Sequence, residues 1–230
     1  MNKTLKKMTL ASLTGLMACS AFALNGANIK AAESDGQKIV GTEQSENEAL
    51  EQELLNQVDT VLASYDNLTP EQKKLYDEAM QAEIAKHQGE EGFNEEQFKQ
   101  DVNSFVFADQ SKALQNEMAR QGMLRWKYTG IWLSNGVVAS GINLAITLAT
   151  GGATTVGIKM LVKKVGTKAA INVIEKAVKN KLIWFGLKQV SGITPVISTI
   201  VKNVLDPGTA VAKWYDSRDI RPNNGHCDIA

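Results

Sequence analysis

The run IWLSNGVVASGINLAITLAT, from Ile131 to Thr150, is free of charge and holds a second pattern inside its apolar one. Gly136, Ser140, Asn143, Thr147 and Thr150 recur at spacings of 4, 3, 4 and 3, which draws one small or polar stripe down a helix, with Asn135 beside it. Ile131, Trp132, Leu133, Val137, Val138, Ile142, Leu144, Ile146 and Leu148 hold the other faces. Twenty helical residues measure about 30 Å, enough to cross a bilayer. A polar stripe argues instead for burial in a small bundle. The run therefore predicts either a buried bundle helix or one that exchanges protein neighbours for lipid, and the two suit successive states of one protein.

Working toward the C-terminus, Gly151-Gly152 reads as a turn. A helix is expected from about Thr154 to Val165, with Lys159, Lys163 and Lys164 toward the end where the helix dipole favours cations. Gly166 is a candidate C-cap. From Thr167 the apolar positions Ile171, Ile174, Val178, Leu182 and Phe185 follow spacings of 3, 4, 4 and 3. Lys168, Asn172, Glu175, Lys176 and Lys179 gather on an adjoining face, and Trp184 lies toward the end, which makes a cationic amphipathic helix. Ser191-Gly192 breaks it. Thr194-Pro195 starts a helix carrying Ile197, Ile200, Val201 and Val204, and Asp206-Pro207-Gly208 leads into a last one with Val211, Trp214 and Tyr215. Pro222-Asn223-Asn224-Gly225 marks a turn in the tail. The apolar content of this half exceeds what such short helices need for one-sided stripes. The surplus calls for a cover or a membrane.

Toward the N-terminus the composition inverts. The formal net charge of the chain is zero, yet residues 33–117 carry 20 acids against 6 bases, and residues 119–230 carry 5 acids against 15 bases. An acidic half at −14 and a basic half at +10 attract one another without any specific pair, and salt weakens that attraction. In the acidic half, 35–47 reads as polar and unstructured. Leu50, Leu54, Val58 and Leu62, widened by Leu55 and Val61, then predict a helix. Thr69-Pro70-Glu71-Gln72 has the makings of a capping box ahead of a second helix with Leu75, Met80 and Ile84. Asn94-Glu95-Glu96-Gln97 repeats the start signal for a third, with Phe98, Val102, Phe105 and Val106.

The chain opens with Lys3, Lys6 and Lys7 before an uncharged stretch from Met8 to Ile29, the layout of a secretory signal peptide. Cleavage before Ala32 and cleavage after Ala21-Phe22-Ala23 are both open. Leu16-Met17-Ala18-Cys19 also resembles a lipobox, in which Cys19 would carry lipid. Past the leader a single cysteine remains, Cys227, so no internal disulfide is expected. It reads as a half-buried small residue or as the seat of an intermolecular disulfide.

Enzyme chemistry finds little footing. His87 and His226 are the two histidines, and adjacent His226 and Cys227 make a poor base and nucleophile. No phosphate-binding loop, nucleophile elbow or metal-ligand spacing occurs. Asp216, Asp219 and Asp228 suggest calcium only weakly and read better as a solvated turn. An export signal and few arginines (Arg120, Arg125, Arg218 and Arg221 in the basic half) argue against nucleic acid.

Residues 131–188 resemble the helical bacteriocins of Gram-positive bacteria, in particular enterocin-type ones with a saposin-like bundle. The resemblance rests on Gly136-Val137-Val138-Ala139-Ser140-Gly141, the lysine cluster Lys159, Lys163, Lys164 and Lys168 after the glycine turn, and the Trp-bearing helix ending near Lys188. It implies a secreted antimicrobial that binds and permeabilises anionic membranes.

The resulting expectation is an all-α protein: a signal peptide at 1–31, an acidic helical pro-segment at 32–118, and a cationic apolar helical domain at 119–230 that is saposin-like or irregular. Its partners would be anionic lipid, its own acidic segment, and an extracellular protease cutting at Arg120-Gln121-Gly122-Met123-Leu124-Arg125. Lys159, Lys163, Lys164, Lys168, Lys176, Lys179, Lys181 and Lys188 would bind lipid headgroups, with Trp126, Trp132, Trp184 and Trp214 at the interface. No catalytic residue, cofactor or metal is expected. The rival readings are a non-lytic secreted or surface-associated binding protein, and a lipoprotein immunity factor anchored through Cys19.

Overall fold

A computed structural model describes residues 40–110, 112, 132–184, 190–203 and 206–228. The leader, Cys19 and the expected cut at Arg120–Arg125 lie outside the described residues. The protein is all-α, with one small two-stranded ribbon.

Local chemistry accounts for most boundaries. Helix α1 (Val40–Val61) begins well before the stretch from Leu50 that marks its apolar stripe, so much of 35–47 is helical rather than unstructured. Helix α2 (Pro70–His87) starts on the complete capping box: the Thr69 hydroxyl accepts from Gln72 N, and the Gln72 side chain accepts from Thr69 N. In α3 (Glu95–Val106), Asn94 caps by accepting from Gln97 N. Ahead of the charge-free run, Trp132–Ser134 forms strand β1, and α4 (Asn135–Thr150) starts on the Ser134 cap. Gly151 ends α4 in the left-handed conformation at φ 68°. Helix α5 (Thr154–Trp184) is broken at Gly166, whose φ of 81° and ψ of 165° are open to glycine alone. Helices α6 (Thr194–Asn203) and α7 (Pro207–Asp216) follow, the latter capped by Asp206. Strand β2 (His226–Asp228) pairs antiparallel with β1, with Leu133 opposite Cys227.

The start of α4 corrects the expectation from Ile131. With residues 132–134 drawn into the ribbon, α4 has 16 residues and is about 24 Å long. It is too short to span a hydrocarbon core of about 30 Å unaided.

Helix α4 is the axis of the fold. Helices α2 and α3 pack on it from the acidic half and α5 and α7 from the basic half, while α1 lies along α5. One apolar core runs through both halves, from Val58, Leu62, Tyr76, Ile84, Phe105 and Phe107 to Val138, Ile142, Ile146, Ile174, Leu182, Ile197 and Val211. The described residues all fall within one compact unit, Ile39–Ala230. The acidic helices thus cover part of the apolar area of the basic half, while Val156, Met160, Ile183 and Ile220 stay exposed.

Candidate functional site

The polar stripe of α4 is spent on contacts with its neighbours. Ser140 Oγ donates to Glu83 Oε2 at 3.0 Å, and Asn143 Nδ2 donates to Glu83 Oε1 at 3.1 Å, so a buried carboxylate from acidic α2 joins two stripe positions. Lys86, one turn along α2, pairs with the same Glu83 at 2.7 Å. On its other side Asn143 Oδ1 accepts from Gly208 N at 2.9 Å. A Cβ at Gly208 would lie 2.0 Å from Ala139 O, so glycine is what lets α7 approach α4 this closely. Thr147 shares a hydrogen bond with Thr154 at 3.1 Å, and Asn135 Nδ2 donates to Asp216 at 2.6 Å. The small positions serve close approach as well: a methyl on Gly141 would sit 2.3 Å from Phe105 of α3, and one on Gly136 would sit 2.9 Å from His87 of α2. A cavity of about 190 Å³ runs beside this seam, lined by Glu83, Lys86, His87, Asn143, Asp206 and Lys213 among others.

The lysines of α5 divide between Lys168 and Lys176. From Asn172 onward, α1 lies along α5 in a parallel pairing with a constant offset of 121 residues. Asn172 donates to Glu51 at 2.8 Å, Lys176 to the Leu55 carbonyl at 2.6 Å, and Asn180 to Asp59 at 2.6 Å, one link per turn. Lys176 also pairs with Asp59 at 2.9 Å, and Lys179 with Glu175 at 2.5 Å. Lys181 goes furthest. Its side chain is fully buried, and Nζ donates to the carbonyls of Leu62 and Val106, at the C-terminal ends of α1 and α3. Helix C-termini offer unsatisfied carbonyls and a negative dipole end, which explains why a buried amine is accepted there. Burial nevertheless lowers its pKa to about 6, against the pull of Asp109 and Asp59. Lys181 therefore does not belong to the membrane-facing cations in this conformation.

Up to Lys168 the picture is different. Lys159, Lys163 and Lys168 are exposed and have no ion-pair partner among the described residues, and Lys164 is exposed too. Trp214, expected at an interface, is buried in the core, with the Arg218 guanidinium 5.1 Å from its ring. Trp126 and Lys188 lie outside the described residues, as do the side chains of Trp132 and Trp184.

The tail also departs from expectation. Asp216, Asp219 and Asp228 are buried rather than solvated. Asp216 accepts from the backbone of Asn224 and Gly225, Asp219 from Arg221 N and Asp228 N, and Asp228 holds the Arg221 guanidinium at 2.5 Å. They brace the turn that brings β2 to β1. Among the described residues no cluster of three or more His, Cys, Asp or Glu is placed to hold a metal. Cys227 is fully buried, against the expected half-burial. Its thiol donates to Asn135 Oδ1 at 3.3 Å, and burial, reinforced by the neighbouring carboxylates, pushes it up to about 12. An intermolecular disulfide would require the ribbon to open.

Two of these residues carried a signal that their composition concealed. Glu83 lies on the spacing Tyr76, Met80, Glu83, His87, and Lys181 lies between Val178 and Leu182. Each is a charge in register with an apolar stripe. With the geometry in hand, no protein-family model, no curated protein and no solved structure matches this chain.

Proposed function

We propose that this is an exported protein that acts on anionic membranes and is made with its charge-free helix α4 held under a cover of acidic helices. The observation that carries the reading is the enclosure of α4. Acidic α2 and α3 hold one side of it through Glu83 and Phe105, and α5 and α7 of the basic half hold the other. Displacing the acidic helices bares an uncharged helix next to a set of lysines, the combination that lets a helix enter a bilayer from a bound state. Because α4 is about 24 Å long, crossing takes local thinning of the bilayer.

The test is dye release from anionic vesicles at micromolar protein and low salt. Two samples are compared: the uncut chain, and the chain cut at Arg120–Arg125 with its acidic fragment separated. The expected result is release by the cut and separated protein and little by the uncut one. Release by neither overturns the reading.

A second reading, a non-lytic binding protein with permanent acidic helices, has its own support. Val102, Phe105 and Phe107 are fully buried in the shared core, as in a lasting part of a fold. Acidic helices that stay bound after the cut and resist separation under native conditions favour this reading.

A further inference from the structure

The acidic cover reaches only one of the two lysine sets on α5. Residues 154–165 turn an outer face made of Thr155, Val156, Lys159, Met160, Lys163 and Lys164, all exposed. At 100° per residue, Val156 and Met160 stand at its centre, with Lys159 and Lys163 on one side and Lys164 on the other. Val156 is 48% and Met160 47% exposed, among the few large apolar side chains that the fold leaves in water. Their opposite face, Gly157, Ile158, Leu161 and Val165, is buried, so this arc is not waiting for another part of the described core. Residues 132–174 contain no acid at all.

We propose that this face docks the protein on an anionic lipid surface while the acidic helices are still in place. An apolar pair flanked by lysines is the cross-section of a helix lying in a headgroup layer, where the side chains between the lysines enter the acyl boundary and the ammonium groups reach phosphate. A soluble acidic partner would use the lysines and leave Val156 and Met160 wet. The docking is local: a net of −14 over 33–117 and +10 over 119–230 leaves the chain beyond its leader at −4, which by itself repels anionic lipid. The inference rests on the membrane reading above and adds an order of events, attachment first and uncovering second.

The experiment is co-sedimentation of the chain from residue 32, which keeps the compact unit Ile39–Ala230, with two sets of vesicles. One set contains phosphatidylglycerol and the other is pure phosphatidylcholine. Binding to the first without dye release is expected. With about 5-fold per lysine near an anionic surface, Lys159→Gln with Lys163→Gln should weaken it roughly 25-fold. Lys202→Gln, an exposed lysine on α6, should change it less than about 2-fold. Val156→Ser with Met160→Ser should weaken binding without changing its salt dependence. Equal binding to both vesicles, an equal loss from Lys202→Gln, no loss from the α5 pair, or capture by soluble polyglutamate with none by vesicles each overturns the docking face. If the uncut chain docks and the freed basic half releases no dye, the docking face stands and the permeabilising role falls. If the uncut chain fails to bind and the freed half releases dye, the reverse holds.

Discussion

The two segments of α5 are similarly rich in lysine and differ in their surroundings. Residues 154–165 present lysines beside bare apolar side chains, whereas in residues 167–184 α1 and α3 have taken up Lys176 and Lys181. The difference arises chiefly from what lies over each segment, with Glu175 adding an acid of its own to the second. A charge asymmetry laid out along the chain becomes, after folding, an asymmetry along one helix. The largest test of this contrast is to make one substitution on both sides of Gly166. Lys181→Ala strands two carbonyls and opens a cavity where α1, α3 and α5 meet, and should cost about 3–4 kcal/mol at about pH 10, where desolvating the amine costs little, and less at neutral pH. Lys159→Ala, on a solvated face, should stay within about 0.5 kcal/mol. Equilibrium urea unfolding of the two variants measures both. Equal costs would mean that the cover contributes little to the hold on α5.

The same lysine gives the covered segment a pH dependence. Lys181 titrates near 6 in the folded chain and near 10.5 when unfolded. Above about 10.5 both states are neutral there. As pH falls from about 10.5 to 6 the unfolded chain gains the proton first, so stability declines, by at most about 1.4 kcal/mol per unit, and levels off below 6. Asp59 and Asp109 favour the charged amine and so limit the slope. A stability difference of about 2–3 kcal/mol between pH 6 and pH 9 is expected. Lys181→Met should flatten it, because a thioether of similar length does not titrate. An unchanged slope in that variant would place the dependence elsewhere.

What could be read in advance follows the range of the physics. Caps and glycine breaks are local, and Thr69, Asn94, Gly151 and Gly166 all do in the structure what their immediate neighbours require. The stripe on α4 was legible as well, since its spacing marks a helix with neighbours on that side. The identity of those neighbours was not. That Glu83 would meet Ser140 and Asn143, or that Phe105 would fill the notch at Gly141, depends on contacts between residues far apart in sequence, and nothing in either segment specifies them. Strand β1 is hidden in the sequence for the same reason. Trp132–Ser134 continues an apolar run that suits a helix, and its pairing with His226–Asp228 is decided by the tail, where Asp216 and Asp219 fold the chain back.

The smallest effect concerns the visible part of the cover. Asp59 accepts from Asn180 and pairs with Lys176 across the α1–α5 seam, but it is about half exposed. An exposed pair of this kind contributes about 0.5 kcal/mol, and Asp59→Asn keeps the hydrogen bond while removing the charge. The variant should therefore unfold within about 0.5 kcal/mol of the parent at low salt, and the gap should close at 1 M salt, where charges a few ångströms apart are screened. Lys181→Ala, whose loss comes from stranded carbonyls and a cavity, should keep most of its cost in the same salt. That contrast separates two ways of holding a cover: by net charge, which any ionic medium loosens, and by buried contacts, which only unfolding or cutting undoes. If Asp59→Asn instead costs as much as Lys181→Ala, the seam is held by its surface charges, and salt alone should be enough to lift α1 from α5.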